Sequence, residues 1–351
     1  MAFREIVGHE RAIAALTRTL AEGREGASLI FHGPEGVGRR AVALSLAQAL
    51  NCPAAPGVGC GRCDTCARIA HVERGKFEEG DHKGDARETT GHPDVRIIVP
   101  GKEEIRIDEI RSLRQQAQRR PFEGRRSVFI IDPAERMTTE AANALLKTLE
   151  EPPPGSCLIL IASDPDALLP TVRSRCRLVP FHPLPVSLLA AHLEKAASMT
   201  PADAAMVATL SGGRPGRALR FDLAAYRAAR DAVMEVIGRL AERRPRAHVL
   251  KDAEILGSRE DDADIEASLD TLETLLRDAM VLHAGGRSEQ IVNGEIEATL
   301  RRLGETLGDR LTGSLRRIAE ARRDLVGNVN KQLLLEVLLL DLAIPQAGAR
   351  A

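Results

Sequence analysis

The sequence predicts an α/β fold built on a largely parallel sheet and continued by all-helical modules, and three observations carry that prediction. Short apolar runs of strand length alternate with amphipathic helical stretches from residue 12 to residue 181, the pattern of successive βαβ units. The first run, Ser28 to His32, leads into the turn Gly33-Pro34-Glu35-Gly36-Val37-Gly38 and then a helix, the context of a phosphate-binding loop. After Pro183-Leu184-Pro185 the apolar pattern is helical throughout. With 351 residues the chain buries a core without disulfide staples. Only 2% of residues are aromatic, so that core is aliphatic.

Taken in order, residues 12–20 form a first helix, with Ile13, Leu16 and Leu20 on one face. The helix after Gly38 carries Val42, Leu44, Leu46 and Leu50. Residues 51–66 are rich in Cys, Gly and Pro, and 71–91 are polar without a period, the pattern of a solvated loop. Val95 to Val99 is a second strand, and Asp108 is the expected N-cap of a helix to about 118. Val128 to Ile131 is a third strand ending at Asp132, and a helix over 138–150 stops at Pro152-Pro153-Pro154. Leu158 to Ile161 and Arg177 to Phe181 are the fourth and fifth strands. The expected domains are 1–182, with a cysteine module near 52–66, then a small helical module over 183–221 and a larger one over 222–351. The stretch Leu333 to Leu340 is apolar nearly all round, as in a monomer's central core helix or a helix buried against other subunits.

Charge and composition exclude several classes. A formal net charge of -1 gives no global basic bias, so any contact with nucleic acid must be local. The aromatic deficit argues against base-stacking platforms for single-stranded nucleic acid, which need exposed aromatic rings. No run of about 18 uncharged apolar residues appears, and Met1 to Glu10 has no apolar signal region. The expected setting is cytoplasmic, reducing and away from membranes, so the six cysteines are not read as three disulfides.

Residues 33–40 depart from the phosphate-loop pattern G-x-x-x-x-G-K-[ST] at its chemical end. Gly33 and Gly38 fit, and Gly36 lies between them, but Arg39 stands at the lysine position and Arg40 at that of the Mg²⁺-binding hydroxyl. A tight glycine turn without a ligand is the alternative. Asp132 sits where such NTPases place a metal-facing carboxylate, yet Pro133 follows it, and proline cannot act as a base. Glu135 is two residues further on. The pattern is that of a fold that has lost its hydrolytic groups, leaving at most weak ATP binding through backbone N–H groups.

Cys52, Cys60, Cys63 and Cys66 follow C-x7-C-x2-C-x2-C, the spacing of a closed tetrahedral thiolate site. Zn²⁺ in a structural role fits better than an iron–sulfur cluster, since no Cys-Pro follows. His71 and His82 are left over as ligands for a second ion, which the four thiolates make unnecessary.

These motifs, with His92-Pro93-Asp94, Asn143 to Pro153, Leu169 to Cys176 and Gly212 to Leu219, make the chain resemble the delta-prime family of bacterial DNA polymerase III clamp-loader subunits, in the AAA+ superfamily. The likeness by motif covers about 1–220. It implies an ATPase-like AAA+ domain, a helical lid and a helical collar packed in a pentameric ring with other loader subunits. It further implies a sliding clamp and primer–template DNA as partners, a place in a DNA-directed DNA polymerase complex and no catalysis by the chain alone. Ser163 falls at the sensor 1 position, and Gly216 where an ATPase subunit has its sensor 2 arginine, with Arg217 next to it. Arg175 matches the arginine finger reaching a neighbour's ATP. The basic run Arg106, Arg111, Arg114, Arg119 and Arg120 either faces DNA inside the ring or is a solvated surface. The rivals are an active loader ATPase of the gamma/tau kind with an atypical phosphate loop, and a zinc-stabilised DNA-binding module.

Overall fold

The computed structural model describes residues 2–21, 28–74, 87–101, 103–241, 262–325 and 330–343. The chain forms two compact units, Met1–Arg220 and Phe221–Ala351.

In the first unit the strands are β1 (Ser28–His32), β2 (Val72–Arg74), β3 (Arg87–Thr90), β4 (Val95–Ile98), β5 (Ser127–Ile131), β6 (Ser156–Ala162) and β7 (Arg177–Pro180). They make one sheet in the order β2-β3-β4-β5-β6-β1-β7. β4, β5, β6, β1 and β7 run parallel, as the alternation of strands and helices requires. Successive side chains point to opposite faces. Leu29 and Phe31 of β1 pack with Leu16, Val42 and Leu46. Ile30 packs on the other face with Ile110, Leu113 and Leu145. Helices α1 (Glu10–Ala21) and α2 (Arg39–Asn51) cover the first face. The second is covered by α4 (Ile107–Ala117) and α5 (Thr139–Glu150), while α3 (Asp64–Ala70) carries Cys66, the last cysteine of the module. Both faces are dry, so the central strands read as continuous apolar runs.

Two local expectations differ from what is found. The span 71–91 is not all loop: β2 and β3 pair antiparallel at the sheet edge, with Val72 opposite Thr90. An edge pair need not alternate apolar and polar residues, so the sequence carried no period. His82 lies outside the described residues. The N-cap of α4 is Arg106, not Asp108. The Glu109 carboxylate accepts from the Arg106 backbone N–H at 2.6 Å, whereas Asp108 accepts from Arg111 at 3.1 Å.

Beyond the sheet, α6 (Pro170–Arg173), α7 (Val186–Ala196), α8 (Pro201–Leu210) and α9 (Pro215–Ala218) complete this unit. The second unit is helical among its described residues, with helices Leu223–Ala241, Asp262–His283, Glu297–Leu307, Arg310–Leu325 and Lys331–Ala343. Leu335, Leu338 and Leu339 of the last helix lie in that unit's own core, but Leu333 and Val337 are 55% and 49% exposed. Among the described residues no helix is long and apolar enough to cross a membrane.

Candidate functional site

The phosphate-loop residues gather at the carboxyl ends of β1, β5 and β6, where ligands bind in open parallel sheets. Gly33 has φ 144°, and a Cβ there would collide with the Phe181 carbonyl oxygen, so only glycine fits. The loop is clasped from two sides. His9 Nε2 hydrogen-bonds the Val37 carbonyl at 2.9 Å, and the Gly216 N–H donates to the Gly36 carbonyl at 2.8 Å. A Cβ on Gly216 would sit 3.0 Å from that same oxygen, so a side chain there would press on the loop's backbone.

Arg39 is the first residue of α2 and is buried, its guanidinium donating to the Ala162 carbonyl at the end of β6. Burial pulls its pKa down, opposed by Asp132, Glu135 and Glu35. Arg40 Nε lies 3.6 Å from Asp132 Oδ2. Burial pushes the Asp132 carboxyl up, against the pull of Arg40 and Arg39. The carboxylate that would face a cation therefore faces a guanidinium. Glu135 Oε1 accepts from both the backbone N–H of Ser163, at 2.9 Å, and its hydroxyl, at 2.5 Å. That pairing had no signal in the sequence, because only the sheet order sets the ends of β5 and β6 side by side.

The four cysteine sulfurs lie within 4.8 Å of one another. Cys52 and Cys63 Sγ are 3.8 Å apart, and Cys60 and Cys66 Sγ 4.0 Å. A tetrahedron of sulfurs about 2.3 Å from a zinc ion has edges of about 3.8 Å, so the set fits that ion. Backbone N–H groups point at the sulfurs, from Ala55 to Cys52 at 3.2 Å and from Cys63 to Cys60 at 3.3 Å. N–H groups of Arg62 and Cys63 lower the Cys60 thiol to about 6, while burial pushes Cys66 up to about 12. A bound cation would let the buried thiol ionise beside the others. Positive φ at Gly57, Gly59 and Gly61 makes the turns between the cysteines. Gln48 of α2 ties the module to the core by donating to the Cys66 carbonyl at 2.7 Å. His71, 2.8 Å from Glu73, is outside the cysteine cluster.

Arg175 follows α6, and its guanidinium is held by its own chain. Nε donates to Glu150 Oε1 at 2.5 Å, and Nη1 donates to the Thr171 carbonyl at 2.8 Å. The side chain keeps about a third of its surface exposed, so it is oriented without being enclosed.

His92-Pro93-Asp94 turns out to hold a loop. Asp94 accepts from the backbone N–H groups of Phe122, Glu123 and Gly124 at 2.6, 3.0 and 2.7 Å. Burial would raise its pKa, but these donors outweigh it and hold the carboxyl below its usual range. Asn51 Oδ1 accepts from Arg125 and Arg126 at 2.8 and 2.9 Å.

Parallel sheet, glycine loop at the end of a central strand and helical lid against that loop define a phosphate-loop protein of the AAA+ type. The chain belongs to the family described as DNA polymerase III, delta subunit, whose pattern matches residues 8–88 and 82–185. Residues 227–343 match the C-terminal domain described for the same subunit. Over 332 residues it is 25% identical to the delta-prime subunit of DNA polymerase III from Bacillus subtilis, covering 95% of each chain. It is 35% identical over 232 residues to the delta-prime subunit of Pseudomonas aeruginosa, covering 64% of each. A third relative is the gamma/tau subunit of Mycobacterium tuberculosis, 35% identical over 194 residues, which are 55% of this chain and 31% of that protein. The chain thus spans about a third of the length of the gamma/tau relatives it matches. The likeness to delta-prime subunits read from the motifs is borne out.

Proposed function

We propose that the chain is a clamp-loader subunit that does not hydrolyse ATP, completes a ring with other loader subunits and offers Arg175 to a neighbour's nucleotide. The observation that carries this reading is the contact of Arg40 with Asp132, 3.6 Å apart. A guanidinium on that carboxylate supplies the positive charge that Mg²⁺ supplies in an active site, without a hydroxyl ligand to recruit the ion. Arg39 is spent on the Ala162 carbonyl, Glu135 on Ser163, and Gly216 on the loop itself. Pro133, where a base would stand, cannot polarise a water. The collar role is supported by Leu333 and Val337, one turn apart on the exposed face of the last helix.

Zn²⁺ is the ion we assign to Cys52, Cys60, Cys63 and Cys66. With all four positions taken by protein its role is to close the 52–66 segment, and it takes no part in hydrolysis.

The test is Mg²⁺-dependent ATP hydrolysis by the isolated chain. The expected rate is at background, and it stays there in the double substitution Arg39→Lys with Arg40→Thr, because Pro133 remains after Asp132. A sizeable rate from the unmodified chain, abolished by Asp132→Ala, would make it an active ATPase subunit instead.

A further inference from the structure

The loop between α4 and β5 is gripped by the two residues that flank the cysteine module. Asn51 directly precedes Cys52, and its buried side chain accepts from the backbone N–H groups of Arg125 and Arg126 at 2.8 and 2.9 Å. Gly124 approaches so closely that a Cβ would lie 2.6 Å from Asn51 Oδ1. Arg68 stands two residues after Cys66 on α3, and its Nη2 lies 2.6 Å from Glu123 Oε1. Phe122, at the start of the loop, is 85% exposed. A polar network, not burial of that ring, is what orders the loop.

The same carboxylate has a second partner. The Asp94 N–H donates to His92 Nδ1 at 3.2 Å, so Nε2 of this buried imidazole carries the proton, and it lies 3.3 Å from Glu123 Oε1. The position of Arg68 depends in turn on α3, whose seven residues are too few to hold as a helix in water alone. Its ties are Ile69 in the core, the Gln48 bond to the Cys66 carbonyl, a 3.0 Å bond from the Gly91 N–H to the Arg68 carbonyl, and Cys66 itself. Cys52 and Cys66 are the two buried members of the thiolate set, and Asn51 and Arg68 adjoin these two. An ion held by all four sulfurs ties both points of the chain together, and its removal frees them separately.

We propose that the metal at Cys52, Cys60, Cys63 and Cys66 sets the position of residues 122–126 through Asn51 and Arg68, so that this surface loop is fully ordered only in the metal-loaded protein. The inference rests on the Zn²⁺ assignment and reaches past closure of the 52–66 segment. Asp94 lies outside the module and keeps its bonds to 122–124 without the ion, so the effect concentrates at Arg125, Arg126 and the Glu123 side chain.

The experiment is amide hydrogen exchange in the full zinc-loaded chain before and after chelation, joined to a zinc-affinity measurement on Glu123→Gln by competition with a chromophoric chelator. A lost hydrogen bond corresponds to about 2- to 12-fold, so exchange at Arg125 and Arg126 speeds by that factor when zinc leaves, while β6 is unchanged. Added Zn²⁺ restores protection and Mg²⁺ does not. Phe122→Trp supplies a second reading, since the sequence contains no tryptophan and the position is already exposed: its fluorescence anisotropy falls in step with zinc release. Coupling is reciprocal, so Glu123→Gln, a change in the loop at a side chain one-third exposed, weakens Zn²⁺ within the same 2- to 12-fold range. Three results would overturn the proposal: unchanged exchange at 125–126 when the metal leaves, an equal rise in β6, the mark of general unfolding, or wild-type zinc affinity in Glu123→Gln. Protein purified without chelator and free of metal would remove the Zn²⁺ assignment and this inference together, whereas bound metal without coupling removes this inference alone.

Discussion

Asp94→Asn isolates what one buried carboxylate does for this fold. An amide keeps one oxygen and turns an NH₂ towards donors that the carboxylate had accepted. The expected loss is about 2–3 kcal/mol of unfolding free energy. The pH dependence follows from the direction of the shift. The carboxyl is held below its ordinary value of 3.8, so its contribution is fully present above that value and is lost as pH falls below it. Denaturant melts across that range should show the wild type losing its advantage over Asp94→Asn on acidification; a constant gap would remove Asp94 as its source. Residues of this kind were half legible. His92-Pro93-Asp94 stood out as a motif, but its work lies 28–30 residues away at 122–124, and no local pattern encodes that. The Glu135–Ser163 pair was hidden for the same reason.

At the scale of elements, the parallel strands and their helices were readable because both faces of the sheet are covered and the apolar runs are continuous. The edge pair β2–β3 was missed, since edge strands escape that constraint. The cysteine module was legible because ligand spacing is set by local turns. It yields a direct expectation: the purified protein carries one zinc per chain. Chelation should loosen 51–70 while leaving most of the helical circular dichroism, since apart from Ile69 the two cores of the sheet unit are built from side chains outside that segment. Elemental analysis showing no metal in protein purified without chelator would contradict the assignment. Sequence left the Leu-rich last helix open between core and interface, because a helix apolar all round satisfies either. The structure divides it: Leu335, Leu338 and Leu339 face inward, while Leu333 and Val337 face out. Deleting residues from 330 onward would therefore remove core leucines together with any interface, so a truncation cannot separate the two roles.

For the whole molecule, the proposed function amounts to a chain whose own nucleotide site has been filled by its own side chains while Arg175 stays accessible for another. Glu150 and the Thr171 carbonyl orient that guanidinium, and an exposed ion pair of this kind is worth no more than about 1 kcal/mol, so it can be exchanged for a phosphate at little cost. The central claim is tested by Arg175→Ala in a reconstituted loader, with assembly confirmed and single-turnover ATP hydrolysis measured in the presence of clamp and primed DNA. An arginine supplied in trans stabilises the charge of the phosphoryl-transfer transition state and is worth roughly 10³–10⁵ in GTPases. The expected result is hydrolysis at the adjoining site slowed by about 10³-fold, no rescue by Arg175→Lys because an ammonium lacks the planar fork, and no such loss in Arg177→Ala. Equal rates for the wild type and Arg175→Ala in fully assembled complexes would contradict it.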